Sequence, residues 1–166
     1  MTPHLVLIGL PGSGKTTVGR LAAAQLALPF ADCDSRIESE TGLSIPTLFA
    51  QRGEPFFRAE ESRILRQLLA GETCVIATGG GAVVAEENRK LLKTAGLVVF
   101  LDRNIRDIAG CVGNRERPLL RRYSLEQLAA QRRAWYLDCA GAVVCDGTAE
   151  ELAAQIAGMW RRTCNS

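Results

Sequence analysis

The segment Gly9-Leu10-Pro11-Gly12-Ser13-Gly14-Lys15-Thr16 has the residue types and spacing of a polyphosphate cradle, G-x-x-x-x-G-K-[ST]. Its glycines let the backbone turn tightly with N–H groups facing inward. A helix starting there adds the partial positive charge of its N-terminus. In such a loop Lys15 reaches the β- and γ-phosphates of a nucleotide, and the Thr16 hydroxyl ligates Mg²⁺. Both flanks agree with that chemistry. The apolar run Leu5-Val6-Leu7-Ile8 reads as a buried strand before the loop. Residues 17–27, with Val18, Leu21, Ala22 and Leu26 on one side, read as the helix after it.

Strand and helix go on alternating along the chain. Further strands are predicted at 28–32, 73–78, 97–101 and 142–145. Helices are predicted at 34–40, 46–51, 55–69, 86–94, 105–111, 124–137 and 148–160. Ser44 stands where an N-cap is needed, with Pro46 just inside, and Thr41-Gly42 stops the helix before it. Nearly continuous apolar strands fit a parallel sheet covered on both faces. The expected fold is therefore α/β, a three-layer αβα sandwich with a five-stranded parallel sheet of the P-loop nucleotide-kinase type.

Ligands of such sheets sit beyond the carboxyl ends of the strands. That rule selects the P-loop, Asp32-Cys33-Asp34, Gly79-Gly80-Gly81, Asp102-Arg103 and Asp146-Gly147-Thr148. A short extended turn puts Asp32 and Asp34 on the cleft side, one toward a metal and one toward an acceptor; the same pattern also serves as a turn or helix cap. Three glycines allow close backbone approach to a ligand, or simply a flexible turn. Arg58 precedes Glu61 at helical spacing. The pair reads either as a surface ion pair of little worth or as an arginine held in pose for an anion.

The 166 residues make one domain with room for a real core, and at 5% aromatic they must pack it mainly with aliphatic side chains. A net charge of +2 gives no argument for a nucleic-acid partner. Arg115, Arg117, Arg121, Arg122, Arg132 and Arg133 nevertheless crowd one region. Such a cluster is usually a solvated face, but beside a P-loop it is a candidate grip on phosphates. The cysteines at 33, 74, 111, 139, 145 and 164 form no CxxC pair, and no apolar run approaches membrane-spanning length. Only Met1-Thr2-Pro3-His4 precede the first apolar run, so the expectation is a reduced cytoplasmic protein without a secretory leader. His4, the single histidine, is expected at the surface or at a strand edge.

In order and spacing these pieces resemble the shikimate kinase family over most of the chain. The resemblance rests on Gly12-Ser13-Gly14-Lys15-Thr16-Thr17, Asp32-Cys33-Asp34, Ile45-Pro46 with Phe49, and Gly53-Glu54-Pro55-Phe56-Phe57-Arg58 with Glu61. It continues through Gly79-Gly80-Gly81-Ala82-Val83, Arg117-Pro118-Leu119-Leu120, and Arg132 with Tyr136. The resemblance implies transfer of the γ-phosphoryl of ATP to the 3-hydroxyl of shikimate, on the route to chorismate and the aromatic amino acids. A monomer is expected, with no nucleic-acid or membrane partner.

Residue by residue, the resemblance implies that Gly12, Ser13, Gly14, Lys15, Thr16 and Thr17 bind ATP. Thr16 and Asp32 serve Mg²⁺, Asp32 through water. Asp34 bonds the attacking hydroxyl and is the candidate base; with Lys15 and Arg117 it forms the catalytic set. Arg58, braced by Glu61, and Arg132 clamp the substrate carboxylate, and the backbone of Gly79, Gly80 and Gly81, chiefly Gly80, contacts a ring hydroxyl. Arg117 closes over the phosphates from a lid at about 112–123, while a helical region at about 34–61 holds the acid.

The chain departs from the family pattern in three places. The span from Arg117 to Arg132 is short, with Arg121-Arg122 in the shortened part. The family's Arg-x-Pro-Leu-Tyr reads Arg132-Arg133-Ala134-Trp135-Tyr136, which leaves Arg133 as a rival for the role of Arg132. An adenine-stacking arginine is replaced by Gly110, and Asp146-Gly147-Thr148 offers backbone to that pocket, so weaker or less selective adenine binding is expected. Two rival functions stand beside the kinase reading. A kinase for another hydroxy acid or cyclitol, such as gluconate, is weakened by the Gly-Glu-Pro-Phe-Phe-Arg and triple-glycine segments. A nucleotide-binding regulatory paralogue is opposed by the intact Lys15, Thr16, Asp32, Asp34, Arg58 and Arg117. No Asn-Lys-x-Asp segment follows a strand, which disfavours a GTPase.

Overall fold

Leu5, Val6, Leu7 and Ile8 are all fully buried, as a strand at the middle of a sheet covered on both faces requires. In the computed structural model, which describes residues 3–111 and 124–164, they belong to β1 (His4–Ile8). Around it lie β2 (Phe30–Asp32), β3 (Val75–Ala77), β4 (Gly96–Leu101) and β5 (Ala142–Val144). The strand order is β2-β3-β1-β4-β5 and every pairing is parallel, with Leu5 opposite both Val75 and Leu97. The expected α/β sandwich with a five-stranded parallel sheet is the observed one.

Alternate residues of each strand face opposite layers. Leu5, Leu7, Val75 and Val99 pack under α1 (Lys15–Leu26) and α7 (Ala149–Cys164), with Val18, Ile156 and Trp160 among them. Val6, Ile8, Ile76, Val98 and Phe100 face the other layer. That layer is formed by α2 (Cys33–Thr41), α3 (Ile45–Leu69), α4 (Glu86–Lys93), α5 (Ile105–Cys111) and α6 (Leu125–Cys139).

β2 is shorter than its apolar run; it lies at the sheet edge and pairs only with β3, from Phe30 opposite Val75 to Asp32 opposite Ala77. Leu28 N–H instead bonds back to Ala23 O at 3.0 Å in the turn that ends α1. Beyond β3, Thr78 stays tied to β1 by its N–H and hydroxyl, which donate to Leu7 O at 3.1 and 3.0 Å.

The two helices predicted at 46–51 and 55–69 form one bent element. Ser44 caps it by accepting from Thr47 N–H at 3.3 Å. Gly53 breaks the helical path with φ 79° and ψ 170°, a conformation open mainly to glycine, and Pro55 follows, needing no acceptor for an N–H. Beyond the bend, Ile64 and Leu65 are fully buried in the core on this face of the sheet.

His4 departs from expectation. It is only 1% exposed, because β1 is central and its first residue is already covered by β4, opposite Gly96. Its Nδ1 accepts from Cys74 N–H at 3.4 Å. Burial holds its pKa below the ordinary 6.5. Among the described residues no helix is long and apolar enough to cross a membrane. The lid span 112–123, and Arg117 with it, lies outside the described residues.

Candidate active site

The loop from β1 to α1 ends at Gly14, the N-cap of α1, which has no side chain to bond the first-turn N–H groups. Those donors are available to an anion. Lys15 is buried, and its Nζ donates to Gly9 O and Leu10 O, both at 2.8 Å, with Ser13 Oγ at 3.4 Å. The ammonium is thereby held over the loop it must serve. At the next residue of α1, Thr16 Oγ1 donates to Asp32 Oδ2 at 2.5 Å. The second oxygen of Asp32 accepts from Ser35 N–H at 3.0 Å and caps α2. Asp32 therefore both caps a helix and faces Thr16. An all-oxygen pair of this kind suits Mg²⁺.

α2 carries Asp34 on its first turn, into the same cavity of about 430 Å³ as Gly12 to Thr17, Asp32 and Gly80. Between the two aspartates, Cys33 is fully buried. Its thiol is pushed well above the ordinary 9.0 by burial and then by Asp34, Glu61 and Asp32, so it remains a protonated thiol rather than a nucleophile.

Beyond the Gly53 bend, Arg58 and Glu61 lie one turn apart on α3. Arg58 Nη1 donates to Glu61 Oε2 at 2.6 Å, and Nη2 approaches Glu54 Oε1 at 3.5 Å. The guanidinium lies 5.3 Å from the centre of the Phe57 ring, which packs on Phe49 at 4.7 Å. The surface-pair reading is excluded: Glu61 is 1% exposed and Arg132, from α6, is 4% exposed. Burial raises the Glu61 pKa, opposed by the nearby Arg58 and Arg132. Arg58 Nε and Arg132 Nη1 are buried with no acceptor among the described residues. Buried guanidinium donors left in this state are costly, and a carboxylate is the group that accepts from them in pairs.

The triple glycine has a reason that composition could not show. A Cβ at Gly79 would lie 2.6 Å from Glu61 Oε1 and 2.9 Å from Asp34 Oδ1, and one at Gly81 would overlap the Arg58 guanidinium. The turn is glycine because the site's own charged side chains press against it. From α6, the Tyr136 hydroxyl donates to Gly80 O at 2.5 Å. The sequence names that tyrosine within the Arg132–Tyr136 motif but assigns it no role; its signal is the one-turn spacing from Arg132.

Arg133, next to Arg132 but about 100° round the helix, turns away. Its Nη1 donates to Asp102 Oδ1 at 2.6 Å, and the side chain lies over Phe100. On the far side of the nucleotide cavity, Gly147 and Thr148 line the wall together with Arg103. Thr148 is fixed by a reciprocal cap, its N–H donating to Glu151 Oε2 at 2.9 Å while Glu151 N–H donates to Thr148 Oγ1 at 3.2 Å.

Comparison with known proteins agrees with this layout. A family model described as shikimate kinase matches residues 11–160. A curated shikimate kinase of Pseudomonas syringae pv. syringae is 43% identical over 146 residues, covering 85% of each chain. A solved structure of shikimate kinase from Acinetobacter baumannii in complex with shikimate matches with a TM-score of 0.90 at 36% identity, covering 96% of this chain and 93% of that one. The crystal structure of shikimate kinase from Aquifex aeolicus gives 0.81 at 37% identity, covering 92% and 93%. A chain matched over that span, at these identities, belongs to the shikimate kinase family.

Proposed function

We propose that the protein transfers the γ-phosphoryl group of ATP to the 3-hydroxyl of shikimate, giving shikimate 3-phosphate and ADP for the route to chorismate and the aromatic amino acids. One observation carries this reading: the part-buried Arg58 pairs with Glu61 and presses on Gly81, the buried Arg132 acts on the same Glu61, and Glu61 and Asp34 press on Gly79, while Asp34 and Gly80 line the cavity of the P-loop. A carboxylate held by Arg58 and Arg132 leaves the acid's alcohol to be turned toward Asp34. In this reading the 79–81 backbone, chiefly Gly80, meets a ring hydroxyl.

In the reaction the alcohol oxygen forms a bond to the γ-phosphorus. The bond from that phosphorus to the β,γ-bridging oxygen breaks, and ADP keeps its electron pair. The alcohol's proton passes to Asp34. A carboxylate is a weak base toward a ground-state alcohol, so Asp34 orients the hydroxyl first and takes the proton late, as the new bond forms. Gly12, Ser13, Gly14, Thr16 and Thr17 hold the phosphates through the loop and the start of α1, and Lys15 exchanges loop carbonyls for phosphate oxygens. Thr16 and Asp32 would hold Mg²⁺, Asp32 through water; the bound ion supplies charge neutralisation at the phosphates. Arg117, on the lid, belongs to the same proposal as a further cation. So does action as a cytoplasmic monomer without nucleic acid or membrane.

The test is ADP release by purified protein with ATP, Mg²⁺ and a panel of polyol acids. Turnover with shikimate and none with gluconate is the expected result. Nucleotide binding with no turnover on any acid would overturn it.

A further inference from the structure

The cavity at the P-loop follows the order of the strands. β1 is central, so its loop has the links after β2 and β3 on one side and those after β4 and β5 on the other. Asp32, Asp34, Thr78 and Gly80 line the first end; Arg103, Asp107, Ile108 and residues 147–149 line the second. Phosphates belong on the loop between the two ends. The first end already holds the Thr16–Asp32 pair and Asp34, which leaves the second for a nucleoside.

Few groups at that end are free to meet a base. Thr148 N–H is spent on Glu151 Oε2 at 2.9 Å, and Thr148 Oγ1 accepts from Glu151 N–H at 3.2 Å. Ile108 offers only an aliphatic surface, and Asp107 is an exposed carboxylate on the first turn of α5. Arg103 is different. It stands two residues beyond β4, is half-buried, and takes part in no hydrogen bond or ion pair among the described residues. Its neighbour Asp102 does not neutralise it, because Asp102 Oδ1 accepts from Arg133 Nη1 at 2.6 Å. That pair lies in the wall of a second cavity, of about 330 Å³, and among the described residues Arg103 alone lines both cavities. An arginine in this state is a planar, weakly hydrated cation without a partner, which suits the face of an aromatic ring.

We propose that Arg103 is the base-holding residue of the nucleotide site: its guanidinium lies on the face of the purine, which is held between Arg103 and the 147–149 backbone. The inference rests on the ATP part of the functional reading and adds a residue and a mode of recognition to it. A face contact does not read the edge of the ring, so it holds adenine and guanine alike. Arg133 has an indirect part, since by engaging Asp102 it leaves Arg103 to the nucleotide.

The test is nucleotide binding by calorimetry, with folding checked by circular dichroism. Arg103→Ala should weaken ADP binding about tenfold, the upper range for a desolvated guanidinium on a ring, and GDP binding by a similar factor. Ribose 5-diphosphate keeps the sugar and the phosphates and lacks the base, so wild type and variant should bind it alike. The KM for shikimate at saturating ATP should not move. Arg103→Lys keeps the charge without the planar face and should restore only part of the lost ADP affinity. An unchanged ADP affinity, an equal loss for ribose 5-diphosphate, a loss for ADP without one for GDP, or full recovery with lysine would overturn the proposal. If Arg103→Ala does not fold, Arg103→Lys decides by the same comparison of ADP with ribose 5-diphosphate. A wild type that binds no ADP overturns the functional reading and this inference with it; a wild type that binds ADP, with indifferent variants, overturns the inference alone.

Discussion

The phosphate side of the cleft is made by one continuous turn, residues 9–16, whereas the acid side draws Asp34 from α2, Arg58 and Glu61 from α3, the 79–81 turn, and Arg132 with Tyr136 from α6. The first works through backbone N–H groups and a helix N-terminus, which exist as soon as the local turn forms. The second works through buried side-chain charges, which are stable only when partners from other elements are in place. The lesson is one of fragility. Changes on the acid side should be read in substrate recognition with the phosphate side untouched.

Asp34 lies where the two sides meet, so it is expected to give the largest effect. Asp34→Asn should bind both substrates yet turn over more slowly by about 10²–10⁴-fold, the usual worth of a positioned general base. A near-normal rate in single-turnover measurements would remove Asp34 from the chemistry. Arg58→Ala comes next. It deletes the proposed carboxylate clamp and strands the buried Glu61, so affinity for shikimate should fall by on the order of a hundredfold while the KM for ATP holds. Calorimetry that found equal losses for both ligands would erase the distinction between the two sides.

The opposite end of β1 provides a control. His4 is buried and its pKa is depressed below 6.5. As pH falls, the unfolded chain takes the proton first. Stability is therefore full above about 6.5 and declines as pH drops through the lower native value. Urea midpoints should fall more steeply between pH 7 and pH 5 for wild type than for His4→Gln, and parallel curves would mean that His4 carries no linkage. The smallest effect is expected at Arg133, whose half-exposed pair with Asp102 is worth no more than about 1 kcal/mol. Arg133→Ala should leave the KM for shikimate unchanged, in contrast to Arg132→Ala. The reverse outcome would hand the clamp to Arg133.

Much of the architecture was legible because it depends on local pattern. The alternation of apolar runs and helical stripes predicted five covered strands; Ser44 and Pro46 marked where a helix starts. Other features depended on neighbours that no window of sequence contains. His4 looked peripheral because it precedes the first apolar run, but β1 is flanked by β3 and β4, so even its first residue is enclosed. Arg132 and Arg133 are equivalent by type and adjacent in the chain; only the seating of α6 on the sheet turns one inward and the other toward Asp102.

What the amino-acid order determined alone was the polyphosphate cradle at 9–16, since a tight glycine turn entering a helix needs no distant partner to place its donors. The acid side was decided by tertiary structure. Glycines 79 and 81 are forced by charged groups brought from α2 and α3. The carbonyl of Gly80 accepts from the hydroxyl of Tyr136, fifty-six residues away along the chain. Backbone dipoles act where they are made, whereas a buried charge or a glycine turn takes its role from whatever the fold packs against it.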